Sequence, residues 1–126
     1  MNVSKESKAK GLEVRKALGA KPQLGSPALA LVPELEEWIV GAIFGDIWGR
    51  PQLDLKTRCA MTMTMMAVLG HERPLRGQIN YALNLGWTQE QICEVFIHVI
   101  PYGGLNAGVG ALRVAQEVFR ERDPAP

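Results

Sequence analysis

Histidine is the side chain best suited to proton transfer near neutral pH, and this chain has only two, His71 and His98. His98 follows Glu94 by four residues, so both side chains project from one face of a predicted helix. The carboxylate and the exposed carbonyls of a helix end near Pro101 favour a protonated imidazole, which suits a general acid. The same spacing fits a structural pair at a subunit contact, and spacing alone favours that alternative. His71 lies in a polar turn, where we expect a solvated histidine.

Two further side chains have positions that suit ligand binding. Arg50 stands in a rigid turn beside Trp48, where a guanidinium can clamp a substrate carboxylate through two hydrogen bonds. A surface arginine or a helix C-cap partner is an equally good interpretation. Tyr102 precedes two glycines, so its phenol lies where a backbone can approach a ligand. The alternative for Tyr102 is an aromatic ring packed across a helix break.

Charge and cysteine content exclude several classes of protein. Fourteen Lys and Arg against thirteen Asp and Glu give a net charge of +1, so no basic excess exists for nucleic-acid binding. Cys59 and Cys93 form no CxxC, which excludes a zinc site built on cysteine alone and an adjacent redox dithiol. The methionines at 61–66 favour a core lining over a soft-metal site, so we predict no metal. The polar N-terminus and the absence of an apolar run of about 20 residues predict a soluble cytoplasmic domain without membrane contact.

The elements that position these side chains are all predicted to be helical. Asp54 is a candidate cap for the third helix, and Thr88 with Gln91 forms a capping box for the fifth. Alternating Met and Thr leaves a strand possible at 61–66, but length and the stop at Gly70 favour a helix. Pro101 and the glycines after it are expected to bend or end the fifth helix. The predicted helices cover residues 4–18, 33–48, 56–69 and 75–85, a fifth from 89 to the interruption at 101–104, and a last one at about 106–120, which makes an all-α domain of five to six helices.

Three segments in this order resemble the carboxymuconolactone decarboxylase family. Residues 48–58 resemble its W-x-R-P-x-L entry and the arginine that follows. Residues 82–92 resemble its A-L-N-x-G-hydrophobic-T-x-E-x-I segment, and residues 94–104 its E-hydrophobic-x-x-H/Q-x-x-x-Y-x-G segment. Residues 111–115 fit its closing helix. The resemblance predicts one domain over residues 1–126, with the family core at 34–119 and an N-terminal helix and connector at 1–30.

The resemblance implies a ring-like homo-oligomer, a trimer or a hexamer, and chemistry without a cofactor. One branch of the family, similar to alkylhydroperoxidase D, reduces peroxides with a CxxC and a nearby histidine. The corresponding region here, residues 65–73, contains no cysteine, so this branch is disfavoured. The other branch is typified by a decarboxylase that releases carbon dioxide from a lactone carboxylate and leaves an enol-lactone.

Carried over onto matching positions, the resemblance implies that His98 donates the proton and that Glu94 orients it. Arg50 is then the carboxylate anchor, Tyr102 holds the lactone, and Trp48 lines the substrate site. Two positions depart from the family pattern. Gln78 replaces a histidine; it can hydrogen-bond to a substrate but cannot exchange a proton near pH 7. Asn106 stands where a proline is often found.

These departures leave two alternatives to the decarboxylase. One is a cofactor-free cyclase or isomerase acting on another, larger apolar metabolite. The other is a catalytically silent oligomeric binding protein. Convergence of His98, Glu94 and Arg50 on an accessible pocket would favour catalysis, whereas burial of the Glu94–His98 pair in a subunit contact would favour the silent protein.

Overall fold

The computed structural model describes residues 1–123, and throughout this range the regular secondary structure is helical. The all-α prediction is therefore confirmed. A 3-10 turn at Pro27–Leu31 precedes α2, and α2 runs directly into a π-helical segment, Ile39–Ile47. The α-helices are α1 (Lys5–Ala17), α2 (Pro33–Trp38), α3 (Leu55–Leu69), α4 (Glu72–Asn84), α5 (Gln89–Gly103) and α6 (Leu105–Arg122). Within residues 1–123, no helix is both long and apolar enough to cross a bilayer.

Local sequence signals fix several of the helix ends. The Ser4 side chain accepts a hydrogen bond from the Ser7 N–H at the start of α1. The predicted capping box at the start of α5 is present in full: the Thr88 hydroxyl accepts from the Gln91 N–H, and the Gln91 side chain accepts from the Thr88 N–H. Gly70 follows α3 with φ of +73°, a conformation that costs glycine no steric penalty.

The helix favoured at 61–66 is confirmed, because these residues are part of α3. The start of the next helix needs correction. Helix α4 begins at Glu72, three residues before the predicted start, so Pro74 lies in its first turn, where no intrahelical N–H is needed. Helix α5 continues past Pro101 and ends at Gly103, so the end falls at the glycines, which is one of the predicted outcomes. Because Pro101 lies near the C-terminus, the helix loses one N–H donor and ends within a few residues.

The chain divides into two compact units, and the first comprises Met1–Leu55. In this unit α1 crosses the π-helical segment so closely that the backbones of the two helices are in contact. A Cβ on Gly11 would overlap the Val40 carbonyl, and a Cβ on Gly45 would overlap the Ser7 carbonyl. These two glycines therefore permit a close approach that any larger side chain would prevent.

The first unit contains a buried arginine near the C-terminal end of α1. Arg15 is 4% exposed, and its guanidinium donates to the carbonyls of Lys21 and Gln23. The same group lies 4.8 Å from the ring centroid of Phe44. Hydrogen bonds to the connector and the face of an aromatic ring together compensate the buried charge.

The second unit begins at Lys56 and holds α4, α5, α6 and nearly all of α3. Helices α5 and α6 pack along each other, and α4 packs on α6. On the outer surface Arg76 pairs with Glu117 and Glu121, and Arg113 pairs with Glu72. The core side chains of this unit are Cys59, Met63, Ala67, Leu75, Ile79, Ala82, Ile92, Phe96, Val99, Ala111, Val114, Ala115 and Val118.

The methionines of α3 do not all line this core as predicted. Met63 is fully buried, on the same helical face as Cys59 and Ala67. Met61 and Met65 are offset from Met63 by two residues, about 200° around the helix, and both are exposed. Helix α3 is therefore apolar on its outer face as well as on its inner one.

Candidate active site

A groove of about 610 Å³ lies in the second unit along the exposed faces of α3 and α5. Its walls are mainly apolar, with a row of polar side chains from α5. Gln91, Glu94 and His98 form this row because positions i, i+3 and i+7 share one helical face. The remaining lining residues are Ala60, Met61, Thr64, Trp87, Val95 and Ile97.

The groove brings together the predicted acid–base pair. Glu94 and His98 both line it and are both exposed to solvent. Within residues 1–123 the two side chains form no hydrogen bond or ion pair with each other. The expected partial burial is therefore wrong for this chain by itself, because the stripe that carries the pair faces the groove and not the α5–α6 contact.

Tyr102 also lies beside His98. The two ring centroids are 5.4 Å apart, and the ring planes are inclined by 45°. Both rings line a further cavity of about 320 Å³. His98 and Thr64 border this cavity as well as the larger groove, so the accessible surface continues past the imidazole towards Gly103. Tyr102 is 83% exposed, so its ring lies against the imidazole at a tilt without being enclosed.

Gln78 is separate from this group. It lies on α4, is half-buried, and is not among the residues that line the groove. Its Oε1 is buried and, within residues 1–123, accepts no hydrogen bond. A buried acceptor without a donor is uncommon and costs about 1–3 kcal/mol, so this position is not explained by packing alone.

Arg50 and Trp48 belong to the first unit. Arg50 follows the π-helical segment, is exposed, and donates its backbone N–H to the Ile47 carbonyl. Trp48 is buried, with its ring centroid 5.8 Å from that of Phe44. Its packing is that of a core residue of the first unit, and contact of either residue with a substrate stays a prediction.

The thiols are unsuited to nucleophilic chemistry. Burial raises the pKa of Cys59 to about 12. The pKa of Cys93 is also raised, first by burial and then by the neighbouring carboxylates of Glu94 and Glu90. A peroxide-reducing cysteine needs the opposite shift, because the thiolate is the attacking species.

Sequence reasoning did not identify part of the groove. Trp87, Gln91 and Thr64 line the groove without a predicted role in a site; Gln91 is predicted only as part of the capping box. The i, i+3, i+7 relation of Gln91 to Glu94 and His98 was available from the sequence. The place of Trp87 was not, because it depends on how the loop before α5 folds against α3.

Comparisons with known proteins show the family to which this chain belongs. The sequence model of the carboxymuconolactone decarboxylase family matches residues 33–117. The chain belongs to the carboxymuconolactone decarboxylase family. The matched range begins at α2 and ends within α6, so α1 and the connector after it lie outside it.

Two relatives support the same conclusion. The chain is 32% identical over 93 residues to a 4-carboxymuconolactone decarboxylase of Acinetobacter baylyi, a match that covers 74% of this chain and 69% of that protein. It is 36% identical over 95 residues to an uncharacterized 15.0 kDa protein of the nqo9-nqo10 intergenic region of Paracoccus denitrificans, with 74% and 71% covered. Only the first of these names states an activity.

Proposed function

We propose that this protein is a cofactor-independent decarboxylase that acts on 4-carboxymuconolactone or a similar small carboxylated lactone. The observation that carries the proposal is the placement of Glu94 and His98 in one accessible, mainly apolar groove. The name of the Acinetobacter relative supports the choice of substrate class. We also propose, as the sequence predicted, that the protein acts in the cytoplasm.

The reaction needs three things from the protein. The bond between the ring carbon and the departing carboxylate breaks, and carbon dioxide leaves. The electron pair moves through the adjacent double bond into the lactone carbonyl, and a proton is added at the carbon next to that carbonyl. An apolar wall that disfavours the charged carboxylate, a group that polarises the lactone and one placed acid meet these needs.

The groove residues can divide this work. His98 supplies the proton, and Glu94, one helical turn earlier on the same groove wall, stabilises and orients the imidazolium when the two side chains pair on substrate binding. Tyr102 packs against the imidazole and offers a phenol to the lactone. The apolar surface is provided by Met61, Ile97 and their neighbours.

The first-unit residues keep their predicted roles as part of the proposal. Arg50 is an anchor for a substrate carboxylate, and Trp48 contributes to the substrate site. Gln78, on α4 of the second unit, does not line the groove, so its hydrogen bond to the substrate stays a prediction. Its amide cannot exchange a proton near pH 7, which leaves His98 as the proposed acid.

We further propose that the protein works as a ring-like homo-oligomer, a trimer or a hexamer. The exposed apolar side chains of the second unit support this, since they are numerous for a monomer surface. They are Met61, Met65, Val68, Leu69, Ile97, Tyr102, Leu105 and Val109.

A direct assay tests the catalytic proposal. The purified protein is mixed with 4-carboxymuconolactone, and loss of the substrate and release of carbon dioxide are followed together. We expect turnover by the native protein and a decrease of about 100-fold or more in kcat for His98→Gln, the range that general acid catalysis contributes. His71→Gln is the matched control, because it removes the other histidine and leaves the groove intact.

Each other outcome has a distinct meaning. Full activity of His98→Gln would remove His98 from the acid role. Absence of turnover by the folded, assembled native protein would contradict the decarboxylase proposal. The extension of the groove past His98 would then favour a cyclase or isomerase with a larger substrate, and a protein that binds such molecules without converting them would be the silent alternative.

A further inference from the structure

A ligand carboxylate that keeps its charge calls for a cation besides the proposed acid. Among the described residues that line the groove, Glu94 and His98 are the ionisable side chains, and with His98 protonated as the proposed acid their charges cancel. The lining then offers such a carboxylate no net positive charge, so its anchor has to come from a cation beside the groove. Lys56, at the start of α3, lies with its Nζ 5.9 Å from the ring centroid of Trp87, which lines the groove.

We propose that Lys56 and Trp87 form the anion-binding end of this groove, where they hold a ligand carboxylate that takes no part in bond breaking. This inference rests on the proposed function, because it assigns residues to the substrate of the same site. It adds a cation from the second unit to the anchor already predicted at Arg50.

The surroundings of Lys56 favour an external partner. Within residues 1–123 its ammonium takes part in no hydrogen bond or ion pair, and its recorded contact is with the face of Trp87. Gly86 leaves space beside it: even a Cβ built there would be 3.9 Å from Nζ. An aromatic face holds a lysine cation in place without neutralising its charge, which leaves all three N–H donors for a ligand.

The indole of Trp87 provides a second, independent observation. Its Nε1 is buried and, within residues 1–123, has no hydrogen-bond acceptor. A buried donor without an acceptor is costly, so a ligand oxygen that reached it would be favoured. The Lys56 ammonium beside this ring supplies the charged donors that a carboxylate accepts.

The chemistry of the substrate class indicates which carboxylate binds here. 4-Carboxymuconolactone carries two carboxylates, one on the ring carbon and one on an acetate arm. Only the ring carboxylate leaves, and the apolar walls near His98 suit its departure. The acetate arm keeps its charge throughout, so its contacts are the same in ground and transition states and affect KM without affecting kcat.

A binding experiment tests this without requiring turnover. Isothermal titration calorimetry measures the affinity of the protein for two compounds. One is (5-oxotetrahydrofuran-2-yl)acetate, a saturated lactone with only the acetate arm, and the other is its uncharged methyl ester. We expect Lys56→Gln to weaken binding of the acetate about tenfold or more, the loss typical of one charge-assisted contact, and to leave the ester unchanged. Lys56→Arg should recover part of the affinity. Arg120→Gln is the control, because it removes an exposed positive charge of the same unit that does not line the groove.

Kinetics separates this inference from the proposed function. With 4-carboxymuconolactone, Lys56→Gln should raise KM about tenfold and leave kcat nearly unchanged. Unchanged acetate affinity in Lys56→Gln, equal losses for acid and ester, or no binding of the acetate by the native protein would each overturn the role of Lys56. Binding of the acetate that depends on Lys56, without any turnover of 4-carboxymuconolactone, would support the anion site and contradict the decarboxylase.

Discussion

The burial of Cys59 makes the stability of the fold depend on pH. The thiol is fully buried on the inner face of α3, and burial raises its pKa from 9.0 to about 12. Between these values the folded chain keeps a proton that the unfolded chain has lost. The free energy of unfolding should therefore decrease as pH rises through this window, by up to about 1.4 kcal/mol per pH unit.

Denaturant unfolding measured from pH 8 to pH 11 checks this prediction. Cys59→Ala should be less stable than the native protein at pH 8, by about 1–2 kcal/mol for the lost packing, and its stability should depend less steeply on pH. Because the other titrating groups are the same in both proteins, the difference between the two curves isolates Cys59. Parallel curves would contradict the role of this thiol.

Tyr102 allows its ring and its hydroxyl to be tested separately. Tyr102→Phe keeps the ring against His98 and removes only the group proposed to hold the lactone. We expect kcat/KM to decrease about tenfold, the value of one hydrogen bond. Tyr102→Ala should lose more, because the imidazole also loses its neighbour. Equal activity of Tyr102→Phe and the native protein would limit the tyrosine to packing.

At the residue scale, the sequence predicts which side chains could do chemistry better than it predicts how buried those side chains are. The spacing of Glu94 and His98 places them on one helical face, and the structure puts both in one groove. Their exposure was not predictable, because it depends on which helices cover that face. Lys56 shows the same limit: its contact with Trp87 joins residues 31 positions apart.

At the level of elements, the crossing of α1 and the π-helical segment depends on glycine. We predict that Gly45→Ala lowers the free energy of unfolding by about 1–3 kcal/mol, since the new methyl group meets the backbone of Ser7 and the helices must separate. Gly110→Ala in α6 is the matched control. Nothing lies within 4 Å of a Cβ at Gly110, so this change should be neutral or stabilising by up to about 1 kcal/mol.

Thermal or urea unfolding of the two variants measures this contrast. Equal effects of the two changes would show that helix propensity alone governs both positions. A larger loss for Gly45→Ala would show that the backbone contact with α1 contributes to stability, although α1 lies outside the range matched by the family.

The elements themselves were largely predictable. The capping box at Thr88 and the stop at Gly70 are local signals, and both are confirmed. The π-helical segment was not predictable in the same way, because the spacing of apolar residues at 33–48 fits an ordinary helix. The continuation of α5 past Pro101 was not predictable from local rules either. Proline disfavours the interior of a helix, but near the C-terminal end the helix can continue for a few residues beyond it.

For the whole molecule, the outer face of α3 poses the main question. A helix with apolar side chains on two opposite faces is normally covered on both, yet on the outer face Met65 is 51% exposed and Leu69 is 63% exposed. The proposed homo-oligomer would account for these exposed apolar side chains, because a second copy of the chain would cover the outer face of α3. The sequence alone could not show it, since the same pattern also fits a helix buried within one chain.

A charge placed on this face tests the assembly. Met65→Glu should convert the native oligomer into smaller species, because a carboxylate at a covered apolar contact loses its hydration without gaining a partner. Light scattering after gel filtration gives the mass, and circular dichroism verifies that the helices are retained. Gln116→Glu, an exposed polar position on α6, is the control and should leave the mass unchanged.

Assembly and catalysis are then connected through the groove. Met61 and Ile97 line the groove and also belong to the exposed apolar set, so a neighbouring copy that covers this set would shield the substrate from water. Met65 itself is not among the lining residues, and loss of turnover in Met65→Glu would therefore act through assembly. We expect kcat to decrease together with the oligomer fraction as the protein is diluted. Full activity of a monomeric Met65→Glu would show that one chain completes the site alone.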